Sequence, residues 1–306
     1  MPLTAQSILD EWSSPVGFDV AIFLTASVYF RGWLALRRLS PGLLVTWRLA
    51  VFLGGMLFLW IAIGSPLAAF DDVSLSVHMV QHILLMLVIP PLILLSAPFL
   101  PLLHGLPQRF VRKIFGPFLS WTPTQWLGKF LTHPLTCWIL AAVALLAWHV
   151  PSLFELALRS DAWHEVEHAC FLLTSMLFWW PVVQPFPSEA RWPRWSVPLY
   201  LFLGMLPGSA LGAFLTFCDR VLYPSYGAAV SIFGVTPLED QIFAGALMWV
   251  LGFLVCFVPA VFITVNLLSP AAARLGERVP VPAFSRRSVM PERAAPAVPG
   301  ISRNHV

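Results

Sequence analysis

The sequence predicts an all-α, polytopic membrane protein of seven transmembrane helices, with the N-terminus outside and the C-terminus cytoplasmic. Composition is the first reason. Of 306 residues, 58% are hydrophobic and only 11% charged, where a soluble domain carries roughly 25% charged residues. The second is the recurrence of mostly apolar stretches near the length of about 20 residues that a helix needs to cross a bilayer. The third is the placement of the basic residues, which gather at alternate connections.

The opening stretch, MPLTAQSILDEWSSPVGFD, lacks the positive n-region of a cleavable leader, so the first apolar segment is expected to be retained as a span. The spans then read as about 18–36, 43–63, 75–97, 133–150, 163–183, 197–217 and 241–267, with Pro41, Pro66, Pro98, Pro151, Pro185 and Pro270 punctuating their ends. In the third span, Pro90 and Pro91 each remove a backbone donor and should kink the helix. The longest connection, 98–132, sets Phe110, Ile114, Phe115, Phe118, Trp121 and Trp126 among Arg109, Arg112, Lys113 and Lys129. It is expected to form one or two amphipathic helices at the membrane surface. Residues 1–270 make one transmembrane domain. The Pro-, Ala- and Arg-rich stretch 271–306 is expected to be a disordered cytoplasmic tail drawn to anionic lipid. No internal repeat supports an inverted-repeat transporter. The four cysteines lie in separate apolar segments without a CxxC, which excludes a zinc ribbon or thioredoxin-like pair.

Charge sets the orientation. With the N-terminus outside, every one of the 18 basic residues except Arg159 and Arg220 falls on the inner side, as the positive-inside rule requires. All 15 acids except Glu189, Glu277 and Glu292 fall outside. The rule gives acids little weight, so the acidic outer edge calls for another explanation.

Histidine supplies one. His78 and His82 open the third span one turn apart, His149 closes the fourth, and His164 and His168 open the fifth one turn apart. Five of the eight histidines are thus expected at one edge of three consecutive spans, while His104 and His133 fall at the other. Ionisable side chains inside a membrane are costly and mark function when they cluster. A single intramembrane His is more often an interior hydrogen-bonding residue, but two i, i+4 pairs and a fifth ring at one depth fit a metal site better. Helical His pairs at this spacing bind one ion, and imidazole suits Zn, Cu, Fe and Ni. Asp219, Asp240 and Gln241 reach the same edge and are expected to orient the imidazoles. Met79 stands beside His78 as a possible soft ligand, although its position on the helix favours packing. Asp71, Asp72, Glu155 and Asp161 read as solvated loop acids.

The segments HMVQHILLMLVIPPLILLSAP (78–98), WHVPSLFELAL (148–158), HEVEHACFLLTSMLFWWP (164–181), LPGSALGAFLTFCDRVLYPSY (206–226) and PLEDQIFAGALMWV (237–250) together resemble the CtaG-type cytochrome c oxidase assembly factors. The resemblance runs over about residues 15–268. It implies a seven-span protein of the bacterial inner membrane that assists assembly of a caa-type oxidase, by copper delivery on the periplasmic side. The family's His motifs map onto His78, His82, His149, His164 and His168, and its other stretches contain Asp219, Tyr223, Asp240 and Gln241. The partners implied are oxidase subunits and a copper chaperone as donor, in a lipid setting, with no nucleic acid. Copper is the expected cargo, with zinc the alternative.

Three rivals compete with this reading. A membrane cytochrome would ligate haem with one His from each of two spans. A copper permease would carry polar or Met-lined positions through the bundle, whereas the inner halves of the third and fifth spans, LLMLVIPPLILL and FLLTSMLFWW, are apolar. A metallohydrolase would read HEVEH as a zincin motif, but here it competes with a second His pair and sits at the start of a span. No nucleophile, phosphate loop or cofactor fingerprint is evident, so an enzyme is not expected.

Overall fold

The computed structural model describes residues 6, 9, 10, 12, 14–39, 45–186, 192–227 and 234–269, and these are helical without strands. The helices are α1 (Val16–Leu39), α2 (Thr46–Ile63), α3 (Leu75–Leu95), α4 (Phe99–Gly105), α5 (108–120), α6 (Thr122–Leu131), α7 (Pro134–Trp148), α8 (Pro151–Leu158), α9 (Asp161–Val183), α10 (Ser196–Phe217) and α11 (Pro237–Leu268). The described residues up to Val265 form one compact unit. The expected tail, 271–306, lies outside the described residues.

Six helices (α1, α2, α3, α9, α10 and α11) are long and apolar enough to span a membrane. The seventh expected span corresponds to α7, only 15 residues long, which meets that length together with α6 across a 68° bend. Between 11% and 44% of each single-helix span is buried in the protein. The outward positions are apolar, among them Phe23, Leu173, Phe214 and Phe262, as lipid-facing surfaces must be. In the connection 98–132, α4 packs against α1, whereas Phe110, Ile114, Phe118, Trp121 and Trp126 on α5 and α6 are exposed beside their basic neighbours. Exposed apolar side chains thus run along 108–131, whereas α4 is packed within the bundle.

The double proline in α3 is absorbed without a sharp break. Residues 84–88 widen into a π-helical turn, and the Ile89 N–H bonds to the Leu84 carbonyl. Pro90 cannot donate to the Met86 carbonyl four residues back. The Trp179 indole N–H from α9 donates to it instead, at 3.0 Å. This bond ties α3 to α9 a turn below the histidines. π-turns of this kind recur at functional sites because they shift a helix face locally.

One close crossing, one cap and one side-chain anchor fix the remaining elements. Gly212 of α10 and Gly245 of α11 face each other so closely that a Cβ on either would lie 2.7 Å from the other's carbonyl oxygen. Asp240, in the first turn of α11, caps the start of α3: its carboxylate accepts from Leu75 N (2.7 Å), Ser76 N (3.1 Å) and the Ser74 hydroxyl (3.1 Å). A carboxylate here satisfies orphan amides and faces the positive end of the helix dipole. Gln241 accepts from Leu222 N and donates to the Arg220 carbonyl, holding the segment after α10. The N-terminal ends of α3, α9 and α11 and the C-terminal ends of α7 and α10 therefore share one end of the bundle.

Candidate metal centre

Each histidine of the predicted group reaches this end by a local route. The capped start of α3 holds His78 and His82 on one face, with ring centroids 4.2 Å apart. His164 and His168 repeat the arrangement on α9, also at 4.2 Å. Because Val150 precedes Pro151 and must be extended, α7 stops at Trp148 and leaves His149 at its C-cap. The Tyr223 hydroxyl donates to the His149 carbonyl at 3.1 Å. The three groups converge: His78 lies 5.1 Å from His164 and 6.2 Å from His168, and His82 lies 5.6 Å from His168 and 6.1 Å from His149. All five predicted histidines meet, and four of them are buried while His164 is partly exposed.

Sequence reasoning missed the sixth member. Glu167 is fully buried, with its two carboxylate oxygens 3.9 Å from His78 Nε2 and 3.6 Å from His82 Nε2. One donor atom from each of His78, His82 and Glu167 falls within 4.8 Å of the others. The signal was present in HEVEH, where Glu167 is three residues from His164 and so shares its helix face. Glu165, the position that would match a zincin glutamate, is exposed, whereas Glu167 is buried among the histidines.

These gaps are too long for hydrogen bonds, which need about 3.2 Å or less, yet right for an ion between them. Two ligands bonded at about 2.0–2.1 Å in tetrahedral geometry stand roughly 3.3 Å apart. Among the described residues, 13 buried side-chain nitrogens and oxygens lack a hydrogen-bond partner, and nine belong to His78, His82, His149, His164, Glu167 and His168. Leaving one such atom unsatisfied costs about 1–3 kcal/mol, so these lone pairs and carboxylate oxygens call for a partner such as water, a proton or a cation. The tautomer of His149 agrees. Its Nδ1 lies 2.7 Å from the Leu145 carbonyl, which can only accept, so Nδ1 carries the proton and Nε2 is left with a free lone pair. Metal-binding histidines are commonly set up this way.

The surrounding shell differs from the sequence expectation. Asp71, expected in solvent, is buried; it accepts from Gln81 Nε2 at 3.0 Å and lies 3.9 Å from His164 Nε2. Burial, with the neighbouring Asp72 charge, pushes its carboxyl up to about 7. Tyr226 donates to its backbone carbonyl at 2.8 Å. Glu155 is likewise held, accepting from the backbone N–H and hydroxyl of Ser225. Asp219 is corrected outright: α10 ends at Phe217, and the Asp219 side chain is 92% exposed, 3.9 Å from Arg220. Asp240 and Gln241 support the site through backbone, by capping α3 and anchoring the Tyr223 segment, and not by contact with imidazole. Met79 is fully buried in an apolar cluster with Leu75, Phe154, Leu215, Tyr223 and Met248, a packing role. His104 and His133 make local bonds elsewhere, to Leu100 and Leu135.

A family model described as cytochrome c oxidase caa3 assembly factor (Caa3_CtaG) matches residues 27–269. The chain belongs to this family. It is also 28% identical over 261 residues to uncharacterized proteins of Mycobacterium bovis and Mycobacterium tuberculosis, covering 81% of this chain and 38% of each relative. An uncharacterized protein of Mycobacterium leprae is 27% identical over 242 residues, 76% of this chain and 36% of the relative. The chain thus spans under two-fifths of the length of these curated relatives. No solved structure matches. Every residue of the His/Glu cluster lies within the stretch the Caa3_CtaG family covers.

Proposed function

We propose that this assembly factor acts by holding copper in the His/Glu cage and passing it to cytochrome c oxidase subunits. The observation that carries the reading is the concentration of nine unpartnered buried donor atoms on six residues from three helices. His78, His82 and Glu167 would form the primary ligand set, with His168, His149 and His164 completing it or serving as the next ligands during transfer. Imidazoles with a single carboxylate give a cage of low charge, suited to copper and second to zinc. The partly exposed His164, beside Asp71, is the natural mouth. Distribution of basic residues supports placing this mouth on the extracytoplasmic side of a bacterial inner membrane, where a copper chaperone would load it. The rings of Phe154 and Phe171, 5.1 Å from His78 and 4.6 Å from His82, fill the flanks that a porphyrin would need, which favours a bare ion over haem. The role is that of a carrier and not of an enzyme.

The test is metal content and a visible spectrum of detergent-purified protein, beside a His78→Ala/His82→Ala variant. Near-stoichiometric copper that disappears in the variant, without a Soret band, is the expected result. Protein that stays copper-free after loading, yet is still needed for oxidase activity, would remove the carrier mechanism.

A further inference from the structure

Beneath the cage the bundle is not filled. A space of about 90 Å³ begins at His82 and His149 and continues between α3, α7, α9, α10 and α11. A single water needs only about 10–15 Å³ of such space, so there is room for an ion and its ligands. The wall carries four sulfurs from three helices: Met86, Met205, Met248 and Cys256. Met205, Met248 and Cys256 are buried.

Their depths form a series. Because Asp240 caps Ser74–Ser76, α3 and α11 start at the same level. At 1.5 Å per residue, His82 and Met248 then lie about 12 Å into the bundle, Met86 about 18 Å and Cys256 about 24 Å. Met205, twelve residues before the end of α10, comes to about 18 Å from the same end. On α3 the ladder His78, His82, Met86 advances four residues at a time along one face; on α11 Met248, Gly252 and Cys256 do the same, with glycine leaving the space open between the sulfurs. Nitrogen and carboxylate donors at the mouth thus give way to thioether and thiol within the membrane.

Such a gradient selects one kind of ion. Thioether and thiolate ligands favour Cu(I) over harder cations. An apolar space also excludes ions that keep their water, and Cu(I) at low coordination needs none. We propose that the cavity is a second metal site, specific for Cu(I), formed by Met86, Met205 and Met248 beneath His82 and His149, with Cys256 about 6 Å deeper than Met86. It rests on the copper-carrier reading of the cage and extends it: the protein stores or relays one soft ion behind the ion it presents. No electron transfer is involved, and the ion enters and leaves as Cu(I).

X-ray absorption of the full-length protein in detergent, loaded anaerobically with Cu(I) alone, tests this directly. Two equivalents are expected, with sulfur as well as nitrogen scatterers. In a Met86→Leu/Met205→Leu/Met248→Leu variant one equivalent and the sulfur signal should vanish, while Zn(II) binding at the cage is kept. Leucine conserves the volume of methionine at a cost usually under about 1.5 kcal/mol, and retained Zn(II) binding certifies the fold. Absence of sulfur scatterers in the wild-type protein, or a triple variant that keeps both equivalents, would overturn the second site and leave the cage intact. The cage reading fails separately, if wild-type protein shows no nitrogen-bound equivalent sensitive to His78→Ala.

Discussion

Glu167→Gln gives the sharpest test of the cage. The substitution keeps shape and volume and removes the one carboxylate charge that faces His78 and His82. With its oxygens 3.6–3.9 Å from those imidazole nitrogens, an ion among the donors lies no more than about 4 Å from the charge. A unit charge pair at 4 Å interacts by about 4 kcal/mol at an effective dielectric of about 20. Since about 1.4 kcal/mol is tenfold, affinity for a monovalent ion should fall about a thousandfold, and for a divalent ion further. Competition against a chromophoric chelator, Cu(I) anaerobically and Zn(II) in air, reads the change. The apo protein should respond in the opposite sense. Its buried carboxylate has no hydrogen-bond partner, so thermal unfolding without metal should occur at the same or a higher temperature in the variant. Glu165→Gln, on the exposed face, is the matched control and should stay within about twofold. An affinity for Glu167→Gln within threefold of wild type, or a loss of apo stability with no loss of binding, would refute the argument that Glu167 is a ligand and not a packing residue.

Three other substitutions separate support from ligation. Asp240→Ala strands the Leu75 and Ser76 amides at the start of α3, and unfolding measured in detergent should show a loss of about 2–3 kcal/mol, with weaker metal binding as His78 loosens. Trp179→Phe leaves the Met86 carbonyl without its donor beside the π-turn; a loss of about 1–3 kcal/mol is expected from the unmade bond, and melting curves with and without metal will show it. Asp219→Ala should change neither stability, beyond about 0.5 kcal/mol, nor chelator-competition affinity, because its side chain faces outward next to Arg220.

What the sequence determined was the set of things encoded in one dimension. Apolar length placed the spans within a few residues of the helices, since the bilayer demands nearly the same length of every crossing. The i, i+4 spacing of His78/His82 and His164/His168 placed each pair on one face. Alternation of spans then required all five rings to share an edge. The same periodicity puts Glu167, three residues from His164, on the histidine face.

Only the tertiary structure decided which acids serve the site. Asp71, Asp219 and Asp240 look alike in sequence, each a carboxylate at a span end, and burial separates them: one beside His164, one in solvent, one capping the neighbouring helix. The sulfur-lined cavity was equally hidden. Reading α3 and α9 alone shows apolar inner halves, while Met205, Met248 and Cys256 arrive from α10 and α11, which lie 100 or more residues beyond α3. Helix periodicity tells which residues share a face; which faces meet is set by packing among helices that sequence does not order, here by the Gly212–Gly245 crossing and the Asp240 cap.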